Sequence, residues 1–170
     1  MGGQPSILAL DLATTTGYAW GPLSAPTPTD LERANGATVS EPIGGFKSFK
    51  NYSPVGPRLA AFRDWMEDLM RVHNPSIVVF EAPIPRQTNA QTMRILISLA
   101  GITEELATRY MAKVYEVEVK KIKKHATGNG NADKEDMIHQ AKLMGWHPKD
   151  DNHADALWLL DYSRCLLGGA

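Results

Sequence analysis

The sequence contains little cysteine and no long apolar run. Cys165 is the only cysteine among 170 residues. A single cysteine excludes an intramolecular disulfide and a cysteine-rich zinc site, and it is typical of a reducing compartment such as the cytoplasm. We predict that Cys165 is a small buried residue of the last helix and not a nucleophile.

Net charge of either sign is also lacking, since 18 Lys and Arg face 19 Asp and Glu. Any nucleic-acid surface must therefore be local. No apolar run approaches the roughly 18 residues of a transmembrane helix, and the first residues lack the basic and apolar regions of a signal peptide. We expect neither secretion nor a membrane partner. Length and composition are typical of one domain, predicted over residues 1–170.

The apolar pattern predicts an α/β fold with a mixed sheet, because strands come first and strand–helix alternation follows. Between Pro22 and Pro57 the chain is rich in Pro, Gly, Ser and Thr and is predicted to be largely irregular, with at most one edge strand. The predicted strands are Ser6–Leu12, Tyr18–Gly21, the strand-like pieces Ala37–Val39 and Ile43–Phe49, Ile77–Phe80 and Val114–Val119. One helix is predicted between Pro57 and Asn74. Three more are predicted over Asn89–Met111, Ala132–Met144 and Asp151–Leu167.

Three acidic residues stand where apolar residues are expected. Asp11 lies between two leucines of a predicted buried strand, and Glu81 ends the run Ile77–Phe80. Burying an unpaired carboxylate costs several kcal/mol, so each needs a cation or a cleft. Asp155 projects to the apolar side of the last helix, at helical spacing from Leu159. Alone, a strand-terminal acid is more often a solvated edge or the partner of a basic side chain.

Oxygen ligands without a Cys or His cluster favour a hard cation, Mg²⁺ or Mn²⁺. Two such ions serve phosphodiester hydrolysis by activating water and stabilising the leaving oxygen. Asp151 and Asn152 lie on the same side of the helix as Asp155, although Asp150, Asp151 and Asn152 are also good helix caps. Asp151 is the favoured fourth ligand because it carries charge, Asn152 is the weaker one, and His153 points about 160° away.

A basic segment precedes a glycine-rich turn. It comprises Lys120, Lys121, Lys123 and Lys124, and after Gly128 and Gly130 the next helix carries Lys134. A helix start behind such a turn presents backbone amides to an anion, which predicts contacts to phosphate. A solvated lysine face with a flexible turn explains the lysines equally well.

Four segments together resemble the RuvC-type Holliday junction resolvases of the ribonuclease H-like superfamily, particularly the short phage versions. They are residues 7–18 around Asp11, residues 78–81 ending at Glu81, residues 123–134, and residues 152–157 around Asp155. The resemblance implies a ribonuclease H-like mixed β-sheet flanked by helices, a metal site at the three acids, and phosphate contacts at Lys123 and Lys134. It implies a metal-dependent endonuclease that cuts branched DNA, with 5′-phosphate and 3′-hydroxyl products.

The sequence departs from the family pattern at three places. Asn152 stands where the family often has Asp or His. The segment after Glu81, residues 82–86, lacks the aromatic that some members carry, and the stretch from Pro22 to Pro57 is longer than in cellular resolvases. These differences leave flaps, forks or packaging intermediates open as substrates.

Three other functions are weighed against the nuclease. A ribosomal-RNA-processing nuclease would share the fold, and a junction-binding module that does not cut would not need three poorly placed acids. Residues 11–17 also resemble the phosphate loop of sugar-kinase and actin-like ATPases, but those enzymes close two such domains around the nucleotide and 170 residues supply one.

Two symmetric nicks require two active sites, which predicts a homodimer. The helix Asn89–Met111 carries more apolar surface than one buried stripe needs, although burial inside the monomer explains it equally well. The residues concerned are Met93, Leu96, Ile97, Ala100 and Ile102.

Overall fold

A computed structural model describes residues 4–24, 41–83 and 89–168. Its sheet has the strand order β3-β2-β1-β4-β5. The strands are β1 (Ser6–Asp11), β2 (Thr15–Pro22), β3 (Ile43–Ser48), β4 (Ile77–Glu81) and β5 (Lys113–Val117). The β1–β2 and β2–β3 pairs are antiparallel, whereas β4 is parallel to both β1 and β5. The predicted mixed sheet is thereby confirmed.

Five helices of the described residues cover the two faces of this sheet. They are α1 (Val55–His73), α2 (Ala90–Arg109), α3 (Val119–Thr127), α4 (Lys134–Leu143) and α5 (Asp151–Leu167). None of them is long and apolar enough to span a membrane. The predicted strand-like piece Ala37–Val39 lies outside the described residues, whereas Ile43–Phe49 contains the edge strand β3.

Strand β1 is buried on both faces, which accounts for its unbroken apolar sequence. Ile7 and Ala9 pack in the cluster beneath α3, α4 and α5, and Leu8 and Leu10 pack in the cluster beneath α1 and α2. Neither face of this strand is in contact with solvent, so a charged side chain is accommodated only at the end of the strand. Its last residue, Asp11, therefore reaches solvent only at the edge of the sheet.

Several predicted boundaries need correction: the strand predicted over Tyr18–Gly21 starts at Thr15, and the helix predicted over Asn89–Met111 ends at Arg109. The strand predicted over Val114–Val119 ends at Val117, and Val119 opens helix α3 after the N-cap Glu118. The helix predicted from Ala132 starts at Lys134, because the side chain of Asp133 caps it within a capping box with Asp136.

Cys165 lies on the last helix as predicted, but its predicted burial is wrong, because this residue is exposed. Its neighbour Arg164 takes the inward position on α5, where the guanidinium Nε donates to the Pro22 carbonyl oxygen at 2.9 Å. Successive helical residues are rotated by about 100°, so an inward Arg164 turns Cys165 toward solvent.

Candidate active site

Asp11 and Glu81 end neighbouring parallel strands and come to the same edge of the sheet. The register pairs Leu10 of β1 with Phe80 of β4, and each acid is the next residue along its strand. The carboxyl ends of parallel strands are the usual place for ligand sites in α/β folds. The predicted juxtaposition of two carboxylates is present.

Asp155 joins them from the second turn of α5, which packs on β1 and β2. One cleft of about 320 Å³ contains all three carboxylates. Its lining consists of Asp11, Ala13, Glu81, Val119, Lys123, Asp133, Lys134, Met137, Asn152 and Asp155. A second depression, lined by Leu96 and Pro83 among others, shares Asp11 and Glu81 with it. The acids therefore lie at the base of a groove that continues toward α2.

Burial and mutual repulsion raise the pKa values of these acids. Burial, followed by the charge of Asp155, raises the pKa of Glu81 to about 7. The pKa of Asp155 is raised to about 6, mainly by burial, while the Lys123 charge opposes the shift. Burial and the charges of Asp155 and Glu81 raise the pKa of Asp11 well above its usual range. The ionised form of each carboxylate is therefore destabilised at its position, and a cation bound between the three would stabilise it.

Lys123 and Lys134, the two predicted phosphate contacts, both line this cleft. The ammonium of Lys123 donates to the Ala132 carbonyl oxygen at 2.6 Å, which ties α3 to the glycine turn before α4. Lys134 forms an ion pair with Asp151 at the cleft. Their positive charges are placed beside the acids and not on a remote face.

The other three lysines of the segment are divided differently. Lys121 forms an ion pair with Glu118 at 2.7 Å, and both side chains are more than half exposed. Lys120 and Lys124 are exposed on α3, outside the cleft lining. The structure therefore brings Lys123 and Lys134 to the acids and leaves Lys120, Lys121 and Lys124 outside that lining.

The polar residues at the start of α5, Asp150 to His153, make different contacts. Asp150 is the N-cap and accepts from the backbone N–H of His153. Asp151 pairs with Lys134, whose hydrogen bond lowers the Asp151 pKa. Asn152 lines the cleft, and its amide group donates to the Asp150 carboxylate at 3.0 Å.

His153 is turned to the opposite side, as the helical rotation predicts. Its side chain is 2 % exposed, and its Nδ1 accepts from the Lys149 backbone N–H at 3.1 Å. Burial lowers the pKa of His153. Its ring lies against Gly44 of β3, away from the carboxylates.

Two site features lie beyond what the sequence pattern indicated. Asp133, the cap of α4, also lines the cleft, although its sequence signal is that of an N-cap. Gly17 admits α5 to the sheet, because a Cβ there would overlap the Asn152 carbonyl oxygen. A glycine within a strand often marks such a close approach, so this second feature had a readable signal.

The donor set suits a hard divalent cation, since the acids offer only oxygen ligands and are destabilised as separate charges. Four carboxylates, at Asp11, Glu81, Asp151 and Asp155, lie in this region with the ammonium groups of Lys123 and Lys134, and each carboxylate interacts electrostatically with at least one of these two lysines. Within residues 4–24, 41–83 and 89–168, no three His, Cys, Asp or Glu side chains are arranged so as to hold a metal ion. The argument for a metal at this site therefore rests on the oxygen donors of the carboxylates and on their mutual repulsion.

A family model and a sequence relative of this chain carry the same description. A sequence model of the family "Crossover junction endodeoxyribonuclease RuvC" matches residues 33–160, a region that includes Glu81 and Asp155 and begins after Asp11. The crossover junction endodeoxyribonuclease RuvC of Caldanaerobacter subterraneus subsp. tengcongensis is 29 % identical over 103 residues. That match covers 59 % of this chain and 62 % of the relative, less than two thirds of its length.

Solved structures show the same fold. Thermus thermophilus RuvC superposes with a TM-score of 0.73 at 16 % identity and covers 96 % of both chains. T. thermophilus RuvC in complex with a Holliday junction substrate gives 0.69 at 16 % identity, over 94 % of this chain and 92 % of that one. The yeast mitochondrial Holliday junction resolvase gives 0.65 at 10 % identity, over 99 % and 83 %. The ribonuclease H-like fold is confirmed, and since the family model covers most of the sequence, the chain belongs to the RuvC family.

Proposed function

We propose that this protein is a metal-dependent endodeoxyribonuclease that cuts branched DNA, as a Holliday junction resolvase. The observation that carries the proposal is one cleft in which Asp11, Glu81 and Asp155 are held together at the cost of raised pKa values. Lys123 and Lys134 line the same cleft, where a phosphate group would lie beside the acids. Membership of the RuvC family and the likeness to RuvC bound to a Holliday junction support DNA as the substrate.

Asp11, Glu81 and Asp155 would hold the metal, Mg²⁺ or Mn²⁺, with Asp151 or Asn152 as a fourth ligand. When bound, a pair of such ions supplies activation of water and stabilisation of the leaving oxygen. The protein supplies charge and position: the rigid ends of β1 and β4 fix two carboxylates, and α5 fixes the third. Lys123 and Lys134 would orient the phosphate, and Lys134 would exchange Asp151 for a phosphate oxygen.

A junction-binding module that does not cut is the second candidate. It needs the lysines but gains nothing from three buried acids, each of which disfavours the folded state when ionised. A ribosomal-RNA-processing nuclease would use the same cleft with a different substrate. These candidates differ in products, so a cleavage assay separates them.

The test is a nicking gel with a four-way DNA junction, a flap, a linear duplex and a structured ribosomal-RNA fragment. Each substrate is incubated with Mg²⁺, with Mn²⁺ and with EDTA. We expect metal-dependent nicks in the junction or flap, with 5′-phosphate ends, and little cutting of the duplex or the RNA. Binding without nicks would favour the binding module, and preferential RNA cutting would favour the RNA nuclease.

A homodimer is proposed as the active form, because a junction requires two symmetric nicks. On α2, Ile97 is 58 % exposed while Ala100 is buried, so only part of the predicted apolar set remains on the surface. Sedimentation is expected to show a dimer at micromolar concentration. Substitution Ile97→Glu should shift it to monomer, and a wild-type protein that stays monomeric with and without junction DNA would contradict the proposal.

For a protein with this activity we propose a location in the cytoplasm of a bacterium or of a phage-infected cell, where its DNA substrate would be found. The phage-type character implied by the sequence resemblance stays a prediction.

A further inference from the structure

A histidine and a buried aspartate join α3 to α5 beside the basic segment. His125 of α3 donates from Nε2 to Oδ2 of Asp161 on α5 at 2.8 Å, since an ionised carboxylate only accepts. The Asp161 side chain is 4 % exposed and that of His125 is 22 % exposed. Arg164 adds a favourable charge interaction with Asp161. Loss of the His125 donor would leave a buried carboxylate with one hydrogen bond fewer.

The His125 ring also packs against two aromatic side chains of α5. It meets Trp158 edge-on, with the ring centroids 6.2 Å apart, and Tyr162 in the same manner at 5.5 Å. Trp158, Asp161 and Tyr162 are spaced by three and four residues, so they lie together on one side of the helix. His125 is thus held against the helix that also carries Asp155 of the cleft.

Helix α3 has little local stability of its own. It spans Val119–Thr127, a length at which an isolated helix is marginal in water. Its buried residues are Ile122 and Ala126, and four of the other positions are lysines. Like charges three or four residues apart on a helix repel each other and destabilise it. The rotation of α3 about its axis therefore depends on side-chain contacts with the neighbouring helices.

The buried stripe of α3, Ile122 and Ala126, has Lys123 on one side and His125 on the other. With about 100° between successive residues, Lys123 lies about 80° from the middle of this stripe. His125 lies about 80° from it in the opposite direction. A rotation of the helix that separates His125 from Asp161 must therefore move Lys123 as well.

The position of Lys123 at the cleft depends on this rotation. Its ammonium donates to the Ala132 carbonyl oxygen at 2.6 Å, from the end of a flexible four-carbon chain. At that position its charge interacts with the carboxylates of Glu81 and Asp155. A flexible side chain is held at one place only as well as the backbone that carries it, so a fixed α3 is a condition for a fixed Lys123.

We propose that His125, through its hydrogen bond to Asp161, is a positioning residue that fixes the rotation of α3 and so holds Lys123 at the cleft. The inference rests on the proposed function for the role of Lys123 as a phosphate contact. His125 lies outside the cleft lining, so it acts through Lys123 and not on the DNA. A residue that only stabilises the fold would leave the position of Lys123 unchanged, and this difference separates the two roles.

The first test needs no DNA. The folded protein is acetylated in EDTA with a low dose of an N-hydroxysuccinimide ester, and the rate at each lysine is measured by mass spectrometry. In the wild type the half-buried Lys123 should react several-fold more slowly than the exposed Lys124. His125→Phe keeps an aromatic ring without the donor, and it should bring Lys123 to the rate of Lys124. His125→Gln keeps an N–H donor and should leave Lys123 protected.

The second test measures junction binding in EDTA at several salt concentrations. His125→Phe should weaken binding and lower the log–log salt slope by roughly one unit, as the loss of one phosphate contact does. Combined with Lys123→Ala, it should lower the slope no further, because both changes remove the same contact. Combined with Lys134→Ala, the two reductions should add.

Ser163→Ala is the matched control, because the buried Ser163 hydroxyl donates to the Leu159 carbonyl oxygen within α5. It should lower stability and leave both the labelling of Lys123 and the salt slope unchanged. Unchanged labelling of Lys123 in folded His125→Phe would overturn the inference, and His125→Ala decides in the same way should His125→Phe not fold. Faster labelling with an unchanged salt slope would support the positioning role and reject Lys123 as a phosphate contact, which is a failure of the proposed function.

Discussion

Asp11, Glu81 and Asp155 are each located where folding disfavours a negative charge. Their positions were readable from the sequence, because a carboxylate between leucines or on an apolar helix face has few structural explanations. The pairing of Asp151 with Lys134 was not readable. It depends on how α4 and α5 pack, and no local pattern encodes the distance between two helices that are joined by a loop.

The first prediction concerns these three acids. Asp11→Asn, Glu81→Gln and Asp155→Asn should each lower the cleavage rate by orders of magnitude and keep junction binding in Ca²⁺. The reason is that losing one ligand disturbs metal placement, whereas the phosphate contacts are made elsewhere. Single-turnover nicking and gel-shift assays measure both effects. A variant that nicks at the wild-type rate removes its residue from the site.

The second prediction separates Asp151 from Asn152 as the fourth ligand. Asn152 lines the cleft, while Asp151 pairs with Lys134, so a ligating Asp151 must first give up that partner. Asp151→Ser and Asn152→Ala are compared for Mn²⁺ affinity by calorimetry, without DNA. The ligand is the residue whose loss weakens Mn²⁺ binding at least several-fold. If both variants bind Mn²⁺ as tightly as the wild-type protein, neither residue is a ligand and the site has three protein ligands.

Among the elements, α3 was the one least visible in the sequence. Its lysines dominate the segment, yet Ile122 and Ala126 form a buried stripe at a spacing of four residues. The strand β5 and the helices α4 and α5 were located within a few residues, because apolar periodicity and caps mark them. The register of β2 and β3 was out of reach, since the connection from Pro22 to Ile43 is too long for its length to fix the pairing of the strands.

The third prediction tests how α3 and α4 present their lysines. Lys123→Ala and Lys134→Ala should weaken junction binding and reduce its log–log salt slope by roughly one unit each. Lys142→Ala is the control, because Lys142 is exposed on α4 and outside the cleft lining. Titrations at several salt concentrations give the slopes. Identical slopes in all three variants would return the basic segment to an ordinary solvated surface.

For the whole molecule, the raised pKa values make stability depend on pH when no metal is present. The pKa values of Glu81 and Asp155 rise to about 7 and about 6, from 4.5 and 3.8. Between about pH 4 and 7 the folded state keeps protons that the unfolded chain releases, so the free energy of unfolding falls as pH rises. Asp151, whose pKa is lowered, acts only below this range.

The fourth prediction follows from that sign. In EDTA, wild-type stability should decline from pH 5 to 8, and Glu81→Gln should flatten the decline and stabilise the protein at pH 8 by on the order of 2 kcal/mol. Urea denaturation at several pH values measures it. Glu67→Gln is a control, since Glu67 lies on α1, outside the cleft lining, in a partly exposed ion pair with Arg63. Wild-type stability that rises over this range would contradict the assignment of these pKa values.

The parallel pairing of β1 with β4 has a consequence for how the protein acquires activity. Asp11 and Glu81 are 70 positions apart in the chain and meet only when this non-local strand pair closes. Contacts of such sequence separation form late, because the entropy of closing the intervening loop must be overcome first. In refolding, helical circular dichroism should therefore recover before Mn²⁺ binding does, and an incompletely folded chain would lack the cluster of three carboxylates.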